Sequence, residues 1–214
     1  EYIWGFATAT PEEALQLRDA GIDKPILILG IVFEEYYKEL IAHEVRMTVC
    51  EYEMAAALSE EAVRQGRQVH IHIGLDTGMS RIGFADVPES VETIKKIADL
   101  PNVEIEGMFT HFARADETDR SPAITQLNRY LAFEELLEKA GVEIPMKHCR
   151  YHPRSGGKFE RSKSRYYDLW HLSVKRSRER HCKTDSCNGI KEPRIIRQRS
   201  SGRYTDQLWR YICI

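Results

Sequence analysis

Along the first 149 residues, short apolar runs alternate with amphipathic stretches, and Gly, Pro or a polar turn separates each from the next. The runs at 3–7, 26–29, 47–49, 69–73, 103–109 and 144–148 are short, apolar and bounded by turn signals, which predicts six strands. Stretches at 34–43, 53–65 and 88–99 repeat their apolar positions with the period of a helix. Thr10-Pro11-Glu12-Glu13 is a capping box with Pro at the first helical position, and Gly21 closes that helix where a left-handed residue is wanted. Ser121-Pro122 opens another helix in the same way, with Ile124, Leu127 and Leu131 on one face and Gly141 at its end. Strand and helix in strict alternation predict an α/β fold over a parallel sheet. Right-handed crossovers close such a sheet into a barrel or leave it open and doubly wound, and six units do not decide between the two.

No G-x-G-x-x-G follows the first strand. In both architectures the chemistry sits at the carboxyl ends of the strands, and three segments stand out there. Asp76-Thr77-Gly78-Met79-Ser80-Arg81-Ile82-Gly83 sets an Asp and an Arg around a Gly turn; this suits an anionic ligand, since guanidinium offers a fixed fork of donors, and equally a surface turn with a salt bridge. His111, in Thr110-His111-Phe112-Ala113, and His148, in His148-Cys149, each end a strand, as a site residue or as packed structural histidines. His70 and His72 share a strand face, but no third ligand is in view and no metal site is expected.

Composition divides the chain. With 214 residues it falls short of the ~250 typical of a closed eightfold barrel, and no apolar run approaches the ~20 residues of a membrane span. Residues 150–214 hold 17 Lys+Arg against 6 Asp+Glu, leaving 14 of the 31 basic and 27 of the 33 acidic residues to 1–149. The same tail contains neither Ala nor Met. The first residues carry no signal-type pattern and the five Cys have no regular spacing, so the expected setting is the cytoplasm, with reduced thiols.

Taken in order, WGFATATPEEALQLRDAGI (4–22), PILILG (25–30), LDTGMSRIGF (75–84), IEGMFTHFA (105–113) and MKHC (146–149) resemble the pyridoxal-phosphate barrel of the bacterial alanine racemase family over nearly all of residues 1–149. The resemblance implies an eight-stranded TIM-type (β/α)8 barrel, of which this chain holds about six units, followed in the family by a β-rich domain. It implies a homodimer whose active sites draw on both subunits, and interconversion of L-alanine and D-alanine, which supplies D-alanine for peptidoglycan. Pyridoxal 5'-phosphate provides the electron sink for removal of the α-proton. Two acid/base groups, the cofactor-bearing lysine of the first barrel strand and a tyrosine of the partner subunit, serve the two faces. Residue by residue, Arg81 resembles the arginine that hydrogen-bonds the cofactor's phenolic oxygen and helps hold the substrate carboxylate. His111 resembles the one packed on the pyridine ring, and His148 the one in the network on the ring-nitrogen side. Many members carry a lysine, carbamylated in some, where this sequence has Gly74.

The family's lysine motif, V-K-A-x-A-Y-G-H-G, belongs upstream of Glu1, and Lys24 and Lys38 do not replace it: one precedes its strand and the other sits in a helix. The chain as given is therefore expected to lack both catalytic groups and to be inactive, with the strands at 3–7 and 144–148 as open edges. After Cys149 the family continues A-N-S-A-G and V-R-A-G-I-x-I-Y-G, whereas this chain continues Arg150-Tyr151-His152-Pro153. Reading the codons of residues 162–171 one base later permits V-R-A-G-I-T-I-Y-G-I, and residues 206–214 permit I-S-Y-G-G-T-Y-V. Trp170 and Trp209, with one codon each, force a Gly where the family has one. Residues 150–214 thus read as an irregular, out-of-frame tail, in which His181, Cys182 and Cys187 form no zinc site. The alternative is a nucleic-acid-binding protein that uses the basic tail on a barrel fragment.

Overall fold

The computed structural model describes residues 4–115, 117–119, 121–150, 166–168 and 212–213. Six strands run parallel: β1 (Phe6–Thr8), β2 (Ile26–Ile28), β3 (Arg46–Val49), β4 (Val69–Asp76), β6 (Val103–His111) and β7 (Met146–Arg150), with β5 (Phe84–Ala85) a short parallel companion of β4. Neighbours in the chain are neighbours in the sheet, β1 beside β2 and onward to β6 beside β7, and the sheet curls into part of a barrel with helices outside. Among the described residues the helices are α1 (Pro11–Asp19), α2 (Tyr37–Ala42), α3 (Tyr52–Gln65), α4 (Pro88–Ala98) and α5 (Ser121–Lys139). Among the described residues no helix is long and apolar enough to cross a membrane.

Local chemistry accounts for the helix starts. Thr10 Oγ1 accepts from the Glu13 N–H at 3.4 Å, and Glu13 Oε2 reaches back to accept from the Ala9 N–H at 2.8 Å, so the cap hydroxyl serves the first turn and the acid serves the loop before it. The helix expected at 34–43 opens as a 3-10 turn, Glu34–Tyr36, before α2. On α5 the buried face is not the expected one. Ile124 is exposed, and Ala123, Gln126, Tyr130, Phe133 and Leu137 turn inward, with the Tyr130 hydroxyl donating to the Met108 carbonyl at 2.8 Å.

The strands differ on their two faces. Towards the helices point Ile26, Met47, Val49, Ile71, Ile73 and Met108, all essentially inaccessible to water. The opposite face carries Arg46, Thr48, His72, Glu106 and His148, where closed barrels of this architecture stack branched aliphatics. A bulge creates part of this pattern: Ile71 pairs with Ile105 but His72 pairs with Gly107, so Glu106 is the extra residue of β6.

The edges expected to be open are not. Tyr166–Asp168 (β8) adds parallel to β7, and Ile212–Cys213 (β9) adds antiparallel to β1. Main-chain pairing satisfies an exposed edge whatever side chains the added strand carries, which is why sequence pattern gave no sign of it. Trp170, Trp209, His181, Cys182, Cys187 and Ile3 lie outside the described residues.

Candidate functional site

The loop after β4 is built around Asp76. Its Oδ1 accepts from the backbone N–H groups of Gly78 and Met79, each at 2.8 Å, and of Ser80 at 3.0 Å. Burial acts to raise this carboxyl, but the donors of Gly78, Ser80, Met79 and Arg81 outweigh it and hold the group below the usual carboxylate range. Asp76 therefore shapes the turn, and among the described residues no carboxylate pairs with Arg81, whose guanidinium is exposed at the loop's far end. Gly83 returns the chain to β4 with φ at 121°, where an added Cβ would stand 2.7 Å from the Asp76 nitrogen. A side chain is excluded there on both counts.

His111 ends β6, next to β4, and Leu75, Asp76, Met79, Arg81, Ile82 and His111 line one shallow recess. Its enclosed space is far smaller than the ~300 to 1,000 Å³ of a complete small-molecule site. Gln126 of α5 holds the two loops together. Its Oε1 accepts from the Ala113 N–H at 2.9 Å, and its Nε2 donates to the His111 carbonyl at 3.3 Å and to Thr77 Oγ1 at 3.4 Å. Thr77 and Thr110 hydroxyls meet at 2.9 Å beneath.

His148, on β7 beside β6, is 2% exposed. Its ring stacks on Phe109 at 5.1 Å with 16° between planes, and Phe109 in turn meets the His111 ring edge-on at 6.1 Å. The structure thus brings Arg81 to His111 across the recess, and His111 to His148 through Phe109. Burial first, then the neighbouring His72 and His111, keep His148 well below the usual histidine range and hence neutral.

Behind His148 lies a chain of polar groups that the sequence signalled only as a pair of histidines on one strand. Nδ1 of His72 is 2.9 Å from Nε2 of His148; Nε2 of His72 is 3.3 Å from Glu106 Oε2; and Arg46 Nε donates to that same oxygen at 3.1 Å. Arg46 also lies over the Trp4 ring at 5.8 Å. Burial acts to raise Glu106, but His72 and Arg46 overcome it and bring it down to about 2. His70, by contrast, is half-buried beside Glu104 at 3.3 Å and takes no part. At Gly74 an added Cβ would be 3.2 Å from Cys50 Sγ and 3.4 Å from Thr48 Cγ2, so these two side chains fill the space next to that position. Burial pushes the Cys50 thiol up to about 11.

Residues 1–151 match the family model described as alanine racemase, N-terminal domain. The chain is 45% identical over 143 residues to the alanine racemase of Methanococcus maripaludis, covering 67% of this chain and 38% of that protein. It is 43% identical over 142 residues to that of Clostridium tetani, covering 66% and 37%. Among solved structures it is similar to alanine racemase of Clostridium difficile 630, with a TM-score of 0.66, 39% identity and coverage of 67% of this chain and 38% of that one. A complex of that protein with cycloserine matches equally, with a TM-score of 0.66, 39% identity and coverage of 67% and 40%. The histidine racemase of Leuconostoc mesenteroides subsp. sake is similar at a TM-score of 0.61 and 28% identity, with coverage of 67% and 38%. The chain spans about 38% of the length of the first of these curated relatives.

Proposed function

Because this chain belongs to the alanine racemase family, we propose that its residues 4–149 form the cofactor-side part of a pyridoxal-phosphate-dependent, cytoplasmic enzyme that interconverts L-alanine and D-alanine for peptidoglycan. The observation that carries the reading is the placement of Arg81 and His111 on one recess at the carboxyl ends of neighbouring strands, with His148 one ring further in. The donor set fits a flat, anionic heteroaromatic group: an exposed guanidinium without a carboxylate partner among the described residues, an imidazole beside it, and a neutral buried histidine behind.

Arg81 would hold the cofactor's phenolic oxygen and the substrate carboxylate, His111 would pack on its ring, and His148 would stand on the ring-nitrogen side. The cofactor, when bound, supplies the electron sink that makes the α-proton removable. The chain's own residues orient it. Asp76 and Gly83 fix the loop that carries Arg81, and Gln126 ties that loop to the strand end bearing His111. The fixed loop presents Arg81 beside His111, and a donor held in place for an anionic group is where such a site gains most.

We propose further that both proton-transfer groups come from outside residues 4–149, the lysine from another strand of the barrel and the tyrosine from the partner subunit of a homodimer. In support, the described lysines stand elsewhere: Lys24 precedes β2, Lys38 lies on α2, Lys95 and Lys96 on α4 and Lys139 on α5, and Lys147 of β7 turns to the helices, where it pairs with Glu134. Treating the 214-residue polypeptide with pyridoxal phosphate and borohydride should label no lysine at the carboxyl end of a strand, and L-alanine should racemise at background. A label at such a position, or turnover at an enzymatic rate, would overturn this assignment. Residues 150–214 we propose to be an out-of-frame translation of racemase coding sequence. The coding DNA, read one base later after codon 149, should extend the racemase motifs, and failure to do so would exclude it.

A further inference from the structure

The bonds among Glu106, His72 and His148 have only one consistent direction. An ionised carboxylate has acceptors and no donor, and Glu106, which takes the Arg46 guanidinium at 3.1 Å, is ionised. His72 must therefore carry a proton on Nε2, 3.3 Å from that carboxylate. Its ring is fully buried, which favours the neutral form with a single N–H, so its Nδ1 is bare. The 2.9 Å contact between His72 Nδ1 and His148 Nε2 then requires His148 to donate. His148 is itself buried and neutral, so its second nitrogen, Nδ1, is left without a proton.

We propose that Glu106 and His72 are positioning residues that fix His148 as its Nε2–H tautomer, so that it offers a bare Nδ1 as a hydrogen-bond acceptor to the group it meets in the site. That group is then an N–H or O–H donor, such as a guanidinium or an ammonium; a carboxylate or phosphate oxygen would face a lone pair. Only the identity of the group rests on the racemase reading, and the tautomer does not. The β6 bulge serves this arrangement by placing Glu106 and then Gly107 on the side of His72, and Gly107 leaves the space its ring occupies. The charged and titratable groups around the relay are Arg46 of β3, His70 of β4, Glu106 of β6 and His111 at the end of β6. Were His72 to gain a second proton, both its nitrogens would donate, and His148 would have to accept at Nε2 and carry its proton on Nδ1.

The test is a nitrogen-15 magic-angle-spinning NMR spectrum of the full 214-residue chain labelled at histidine, which reads each ring nitrogen as bare or protonated in soluble or sedimented protein. Phe substitutions of His72 and His148 assign the signals. At neutral pH both rings should be Nε2–H tautomers, with a coupling from the His148 Nε2–H to bare His72 Nδ1. Glu106→Gln should leave His72 and His148 as mixtures of tautomers, and His72→Phe should do so for His148. His148→Phe should leave His72 unchanged, because order passes from the carboxylate inward. A wild-type His148 protonated on Nδ1, or a His72 tautomer indifferent to Glu106→Gln, would overturn the proposal whether or not the racemase assignment holds.

Discussion

An added methyl group at Gly107 would stand 2.5 Å from Cε1 and 3.1 Å from Cγ of the His72 ring, so this glycine is the seat in which His72 lies. Gly107→Ala should therefore displace His72 and cost about 1 to 3 kcal/mol, as overpacking does. Replacing His72 by Ala in the same chain should recover part of that loss. Denaturant midpoints of the two single variants and the double variant decide it; strictly additive losses would mean that the two positions do not share one space.

Acid should dismantle the polar face before the apolar one. Burial lowers His72 and His148, so each contributes stability that is complete above the unfolded histidine value of 6.5 and is lost as pH falls towards the folded one. Glu106 is lowered from 4.5 to about 2, so its contribution, roughly 3 kcal/mol as an upper figure, is complete above 4.5 and is lost between 4.5 and 2. Stability measured against pH should fall in two stages, and Glu106→Gln should make the lower one shallower, leaving the part that Asp76 contributes. A Glu106→Gln curve parallel to that of the parent below pH 4.5 would contradict the Arg46–Glu106–His72 linkage.

The Asp76 loop offers a local test. Asp76→Ala strips one acceptor from three backbone N–H groups and should cost about 1 to 3 kcal/mol, while Asp76→Asn, which keeps Oδ1, should cost less. Amide exchange at Gly78, Met79 and Ser80 reads the effect directly. Equal exchange in both variants would show that the loop holds its shape without this cap.

The six strands were legible because each is a short apolar run between turn residues, and Arg81 and His111 stand out in the segments that follow or close β4 and β6; His148, expected to end its strand, lies instead in the middle of β7. What could not be read depended on contacts between elements. Glu106 looks like an ordinary polar residue in alternation, and only pairing with β4 reveals that it is the bulged one. Gln126 sits on a helix whose apolar residues suggested another face, and nothing local marks a glutamine that bonds two other chain segments. His70 and His72 share a strand face by period, yet one meets Glu104 at the rim and the other is sealed against His148. The surroundings of Gly74 likewise show only in the structure, where Cys50 and Thr48 fill the space beside it.

Whether residues 4–149 serve as the cofactor-side part of an alanine racemase is decided by a chimera. Residues 4–149 would replace the matching segment in the alanine racemase of Clostridium difficile 630, which supplies the rest of the barrel and the second domain. Conversion of L-alanine to D-alanine would then be measured with pyridoxal phosphate present. The chimera should racemise alanine, and Arg81→Ala within it should lower kcat by about 10²- to 10³-fold, the scale of losing one preorganised donor, without unfolding it. A folded chimera that binds the cofactor but does not racemise alanine, or one indifferent to Arg81→Ala, would contradict the proposal.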